Sequence, residues 1–240
     1  MADMLVPPAC PVCHGDVAQY DGLCLTCWQG LTFLRPLLCA VSGMPMAVDL
    51  GADAVSLPVQ INPPPYDRAR AAFVYKGSAA ALVKRLKFGD RPELAPFLAR
   101  FMLAAEDGVL SKDAVLLPVP LHRRRLFLRR FNQAAELCRA LHQMSGHAVL
   151  FEAVVRVKHT RQQIGLTRAG RKRNLAGAPR VPDKARAQIK GRTLVLVDDV
   201  LTTGATVEAL ARLLKRAGAA RVHVLTLARV VMPEQVTIFE

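Results

Sequence analysis

Two adjacent aspartates, Asp198 and Asp199, follow the apolar run Leu194 to Val197 and precede Thr202-Thr203-Gly204-Ala205-Thr206. Carboxylates at a strand end accept hydrogen bonds from sugar hydroxyls. A Gly-containing turn that opens a helix aims backbone N–H groups and threonine hydroxyls at one point, where the helix dipole favours phosphate. The stretch VLVDDVLTTGAT therefore reads as a cradle for ribose and phosphate. The bland alternative, a solvated Asp198 beside an Asp199 that caps a helix, leaves the Thr-Thr-Gly turn without a purpose.

A second chemical set lies near the start. Cys10-x-x-Cys13 and Cys24-x-x-Cys27 put two thiolates on each of two tight turns, and the two turns complete a tetrahedral sulfur shell for zinc. Two disulfides or redox-active pairs are the competing readings. The opening residues lack the basic region of a secretory signal, and no thioredoxin-like βαβ pattern surrounds the pairs. Four thiolates leave no open position, so the zinc is expected to be structural. Cys39 starts another such spacing, but Ser42 stands where its partner would be, which makes Cys39 a leftover thiol or a substitute ligand. Cys138 falls in a helical pattern and reads as buried.

The elements that must position these groups alternate along the chain. RAAFVYKG, AVLLPVP, AVVRV, TLVLVDD and RVHVLTLARVV read as strands; SAAALVKRLKF, PELAPFLARFMLAAE, NQAAELCRALHQM with Asn132 as N-cap, and TVEALARLLKRAG ended by Gly218 read as helices. Strands separated by helices predict an α/β domain with a mostly parallel sheet, whose ligands bind beyond the carboxyl ends of the strands. No internal repeat is evident.

Charge divides the chain. Residues 1–66 hold one cation, Arg35, and five anions, for a net charge of −4; the whole chain of 240 residues carries +14, which leaves +18 on residues 67–240. The break coincides with the Pro-rich INPPPYDRAR, so the expected division is a zinc-binding module with its linker at 1–66 and an α/β domain at 67–240. Such a basic domain expects an anionic partner. No apolar run is long enough to span a membrane, and the chain reads as cytoplasmic. Aromatic residues make up only 5%, with Trp28, Phe127 and Phe131 as the candidates for base stacking, which weakens a reading as a pure single-strand binder.

VLVDDVLTTGAT resembles the phosphoribosyl-pyrophosphate motif of type I phosphoribosyltransferases, and the chain as a whole resembles the ComF family of late-competence proteins. The likeness runs through the four-Cys module, LKFGD, PVPLHRRR followed by RFNQA, the basic R-x-K-x-T-x-x-Q segment, RKRNLAGA and the sugar-phosphate motif. Two positions depart from the family pattern: Ser42 where Cys is expected, and Arg130 where Gly usually precedes FNQA.

The resemblance implies a type I phosphoribosyltransferase-like sheet flanked by helices, carrying a small N-terminal zinc module. It implies that Asp198 and Asp199 bind ribose and that Thr202, Thr203, Gly204, Ala205 and Thr206 bind its phosphate, with phosphoribosyl pyrophosphate entering together with Mg²⁺. Val119, Pro120, Leu121, His122 and Arg123 would match the pyrophosphate loop, Arg124 and Arg125 adding charge. The segment with Lys158, Arg161, Gln162, Arg168 and Arg173 would match the flexible loop that closes over the transition state. Where some purine-acting relatives have a carboxylate in the phosphate loop, this chain has Thr202, so no acid or base is assigned. The implied roles are DNA uptake, natural transformation and single-stranded DNA handling, with DNA-uptake or helicase proteins as partners. A phosphoribosyl transfer to an unidentified acceptor is the alternative.

Overall fold

A computed structural model describes residues 7–19, 22–35, 37–88, 91–121, 131–156 and 179–231. Its centre is a four-stranded sheet in the order β1 (Arg68–Val74), β6 (Arg221–Arg229), β5 (Thr193–Leu201), β2 (Val115–Pro118), with every neighbouring pair parallel. The inner strand β5 is apolar on both faces from Leu194 to Val197, and both faces are covered. On β5, Val195 and Val197 pack with Leu82 and Leu86 of α3 (Gly77–Phe88), Leu98 and Met102 of α4 (Leu94–Ala104), and Leu137 and Leu141 of α5 (Gln133–Ser145). Leu194 and Leu196 pack with Ile189 of α6 (Asp183–Ile189) and with Leu210 and Leu214 of α7 (Ala205–Arg216).

Local signals place the helices. Asn132 caps α5 by accepting a hydrogen bond from Ala134 N–H, and Gly146, at φ 75°, ends it. The expected strand AVVRV shrinks to β3 (Val155–Arg156), which pairs antiparallel with β4 (Pro179–Arg180) away from the main sheet. Short apolar runs do not by themselves say which sheet they join.

Strand β5 does not stop at the aspartates. It continues to Leu201 because β6 runs beside it, with Asp198 opposite Thr226 and Leu201 opposite Arg229. Its other neighbour leaves: β2 ends with Pro118 opposite Val197, and Pro118 and Pro120 have no N–H with which to extend the ladder. The two carboxylates thus lie where the sheet opens on one side.

The N-terminal residues cover the outer edge of β1. Val74 N–H donates to Thr32 O, Leu34 N–H to Ala72 O and Ala69 N–H to Val41 O, and Phe33 bridges Phe73. Two short helices, Leu25–Gln29 and Leu57–Ile61, complete this part. Trp28 packs its ring at 5.7 Å from Phe33 and 6.0 Å from Phe101 while staying 46% exposed.

Candidate ligand site and metal centre

At the open end of β5 the two aspartates meet different surroundings. Asp199 is buried, and its Oδ1 lies 2.7 Å from Lys87 Nζ, near the end of α3. Asp198 is half-buried, and its Oδ1 accepts the Asp199 N–H at 2.8 Å. Lys87 belongs to the LKFGD stretch, to which the sequence assigned no role. A lysine one helix away in sequence gives no local sign that it will reach a strand end more than a hundred residues on.

After β5 the chain turns through Gly204, whose φ of 80° and ψ of −14° fall in the left-handed region. An L side chain is strained there, and a Cβ at this position would meet Glu208 Oε1 at 3.3 Å. The Gly204 carbonyl takes the Glu208 N–H at 2.9 Å, and Gly204, at the N-cap, has no side chain with which to cap the first N–H groups of α7. Thr202, Thr203, Ala205 and Thr206 are all exposed. The chemistry suits an oxyanion. Glu208 puts a carboxylate of its own in this first turn, held by Arg212 at 3.3 Å.

Beside this turn lies a groove of about 710 Å³ whose walls include Met44, Met46, Leu57, Tyr66, Thr203 and Glu208. It is mostly apolar and contiguous with the turn.

Of the expected pyrophosphate loop, Val119 is buried and both its backbone groups are committed: its N–H donates to Val197 O at 2.9 Å, and its carbonyl accepts from Asn132 Nδ2 at 3.3 Å. Pro120 and Leu121 are half-buried. His122, Arg123, Arg124 and Arg125 lie outside the described residues, as do Lys158, Arg161, Gln162, Arg168 and Arg173.

The four cysteines come together. The sulfurs of Cys10, Cys13, Cys24 and Cys27 all lie within 4.8 Å of one another, with Cys13 and Cys24 3.5 Å apart. Sulfurs on a tetrahedral zinc stand about 3.8 Å apart, given a Zn–S bond near 2.3 Å, so the set fits that ion. The thiols do not titrate alike. Burial works to raise Cys10, but the N–H groups of Cys24, Cys13 and Val12 bring it down to about 6, while burial and the neighbouring thiols push Cys27 up. Arg85 holds the turn from α3, donating to Val12 O at 3.0 Å.

Sequence comparison matches residues 1–56 to the double zinc ribbon domain and residues 145–233 to the phosphoribosyl transferase domain. The DNA utilization protein YhgH of Salmonella typhimurium is 36% identical over 235 residues, covering 94% of this chain and 99% of that protein. Competence protein F of Haemophilus influenzae is 33% identical, covering 69% of this chain and 74% of its own length. Competence protein ComFC of Bacillus subtilis is 28% identical, covering 87% and 85%. Among solved structures, the glutamine phosphoribosylpyrophosphate amidotransferase of B. subtilis overlaps 60% of this chain and 30% of its own, at 17% identity and a TM-score of 0.39. That overlap is too loose to argue from.

Proposed function

Because the chain belongs to the ComF family, joining a zinc ribbon module to a phosphoribosyltransferase-type sheet, we propose that it binds phosphoribosyl pyrophosphate with Mg²⁺ at the carboxyl end of β5 and works in DNA uptake and single-stranded DNA handling. The observation that carries the reading is the uncapped turn at Gly204, which follows two carboxylates at the point where the sheet opens. The phosphate sits on the N–H groups of α7 and the hydroxyls of Thr202, Thr203 and Thr206. Asp198 and Asp199 accept the ribose hydroxyls. A carboxylate has acceptor sites for more than one partner, so the Lys87 ammonium and a hydroxyl share Asp199. Mg²⁺, arriving on the pyrophosphate, neutralises part of its charge. Val119 to Arg123 border the pyrophosphate, with Arg123 as the cation. The donor there is the side chain rather than the Val119 N–H, which β5 already takes.

DNA binding draws on the +18 of residues 67–240, and the names of the relatives support it. A second reading, transfer of the phosphoribosyl group, is favoured by the groove beside Thr203, which has room for an acceptor next to the phosphate turn. Competitive titration separates the two ligands: phosphoribosyl pyrophosphate with Mg²⁺ against single-stranded DNA, each displacing the other. Two independent sites give no displacement. If neither ligand binds the folded chain, the reading is wrong.

A further inference from the structure

The N-terminal part contains one backbone figure twice. In the first copy Cys10 N–H donates to Gly15 O and His14 N–H to Cys10 O. In the second, Cys39 N–H donates to Met44 O and Gly43 N–H to Cys39 O, each partner 29 residues further on. The same offset relates the bridges Ala9–Asp16 and Leu38–Pro45, and the hydrogen bonds Val17 N–H to Pro8 O and Met46 N–H to Leu37 O. It also relates two left-handed residues, His14 at φ 63° and Gly43 at φ 66°. Even the interaction at the ligand position persists: Gly15 N–H faces Cys13 Sγ at 3.4 Å, and Met44 N–H faces Ser42 Oγ at 3.3 Å.

Each copy then closes with a five-residue helix. Cys24 precedes Leu25–Gln29 and Ser56 precedes Leu57–Ile61, with Trp28 N–H donating to Cys24 O and Gln60 N–H to Ser56 O, now 32 residues apart. The four metal-ligand positions Cys10, Cys13, Cys24 and Cys27 therefore correspond to Cys39, Ser42, Ser56 and Val59. The repeat is hidden in the sequence because side chains diverged while the backbone pattern stayed.

We infer that the second copy is a zinc ribbon without zinc, held by protein groups in place of the metal. One thiol, two neutral hydroxyls and a valine do not make a zinc shell, which takes Cys, His or carboxylate ligands. What fills the role of the ion is visible. The Cys39 sulfur accepts the Ser56 N–H at 3.3 Å, joining the two halves that a metal would join. Three successive carbonyls of the turn each take a donor from the sheet: Ala40 O from Arg70 Nη1 at 3.0 Å, Val41 O from Ala69 N–H at 2.7 Å, and Ser42 O from Arg229 Nη1. Both arginines are buried. The approach is close enough that a Cβ on Gly43 would lie 2.3 Å from Ala69 O. The second ribbon lies against β1 and β6, where it walls the groove beside Thr203.

Metal analysis of the full-length protein, purified without chelator, tests this. The chain is expected to hold one zinc, unchanged by Cys39→Ala, and Ser42→Cys/Ser56→Cys/Val59→Cys is expected to raise the count to two. With Co²⁺ in place of zinc, the thiolate charge-transfer absorption should double in the triple variant. Two zincs in the parent, a zinc lost with Cys39→Ala, or a folded triple variant that stays at one each overturn the inference. Should the triple variant not fold, hydrogen exchange decides: Arg229→Met should speed exchange at residues 37–46 with the zinc count still one, and unchanged exchange there overturns the inference.

Discussion

Asp198 and Asp199 are neighbours in sequence, and Asp199, the more buried of the two, pairs with the half-buried Lys87. Lys87 Nζ lies 2.7 Å from its oxygen, and the Asp199 side chain is 8% exposed. Removing one partner of such a pair leaves a charge in poor solvent. Lys87→Met should therefore destabilise the fold by about 2 kcal/mol in urea unfolding. Adding Asp199→Asn should recover much of that loss, and a Lys87→Met chain as stable as the parent would show that the pair does nothing for the fold. On the proposed binding mode Glu208 opposes the ligand, because its carboxylate lies in the first turn of α7, where the phosphate is placed. Glu208→Gln should tighten phosphoribosyl pyrophosphate binding by a few-fold, read by calorimetry. His223 gives a pH test. Burial lowers its pKa below the ordinary 6.5, Asp67 opposing, so the folded chain keeps it neutral while the unfolded chain takes a proton below that pH. Stability should fall as pH drops below about 6.5 and level off below the folded value, and His223→Gln should flatten that part of the curve.

At the scale of the element, the turn at Gly204 decides how α7 begins. Gly204→Ala should cost about 1–2 kcal/mol of stability from its positive φ alone, and should weaken phosphate binding as the turn shifts to relieve that strain. Circular dichroism melts and calorimetry on the same sample check both effects. Much of this architecture was legible beforehand. The 3.6-residue spacing gave α3, α4 and α7, Asn132 marked the start of α5, and the alternation of strands with helices marked a mostly parallel sheet. Other features were not legible, for physical reasons. The end of β5 depends on where β2 and β6 stop, which is information held in other strands. Helix α6 has only seven residues and little periodicity to detect. The Lys87–Asp199 pair and the arginines under the second ribbon are long-range interactions that no local pattern announces.

Over the whole molecule, a mildly acidic front and a strongly basic remainder share one chain. We propose that residues 1–66 and 67–240 are the working units, joined along β1. Because four thiolates on one ion tie the first ribbon together, chelation should release it, with exchange rising across residues 10–27 while the sheet stays protected. Protection lost throughout the chain would show that the sheet depends on the metal. Binding of single-stranded DNA should weaken steeply with salt, and replacing Arg123, Arg124 and Arg125 by Ala should reduce the slope by about one unit for each phosphate no longer neutralised. An unchanged slope would place the DNA elsewhere.

The claim on which the rest hangs is that the end of β5 and the turn after it hold phosphoribosyl pyrophosphate with Mg²⁺. Calorimetric titration of that ligand into the folded parent and into a folded Asp198→Asn/Asp199→Asn chain tests it most directly. Charged acceptors of hydroxyl groups are worth about 1.5–3 kcal/mol each, so the variant should bind more weakly by about 2 kcal/mol or more, roughly thirtyfold. Equal affinity in the two proteins, or no binding by the parent, would contradict it and leave β5 as a strand that ends in an ordinary helix start.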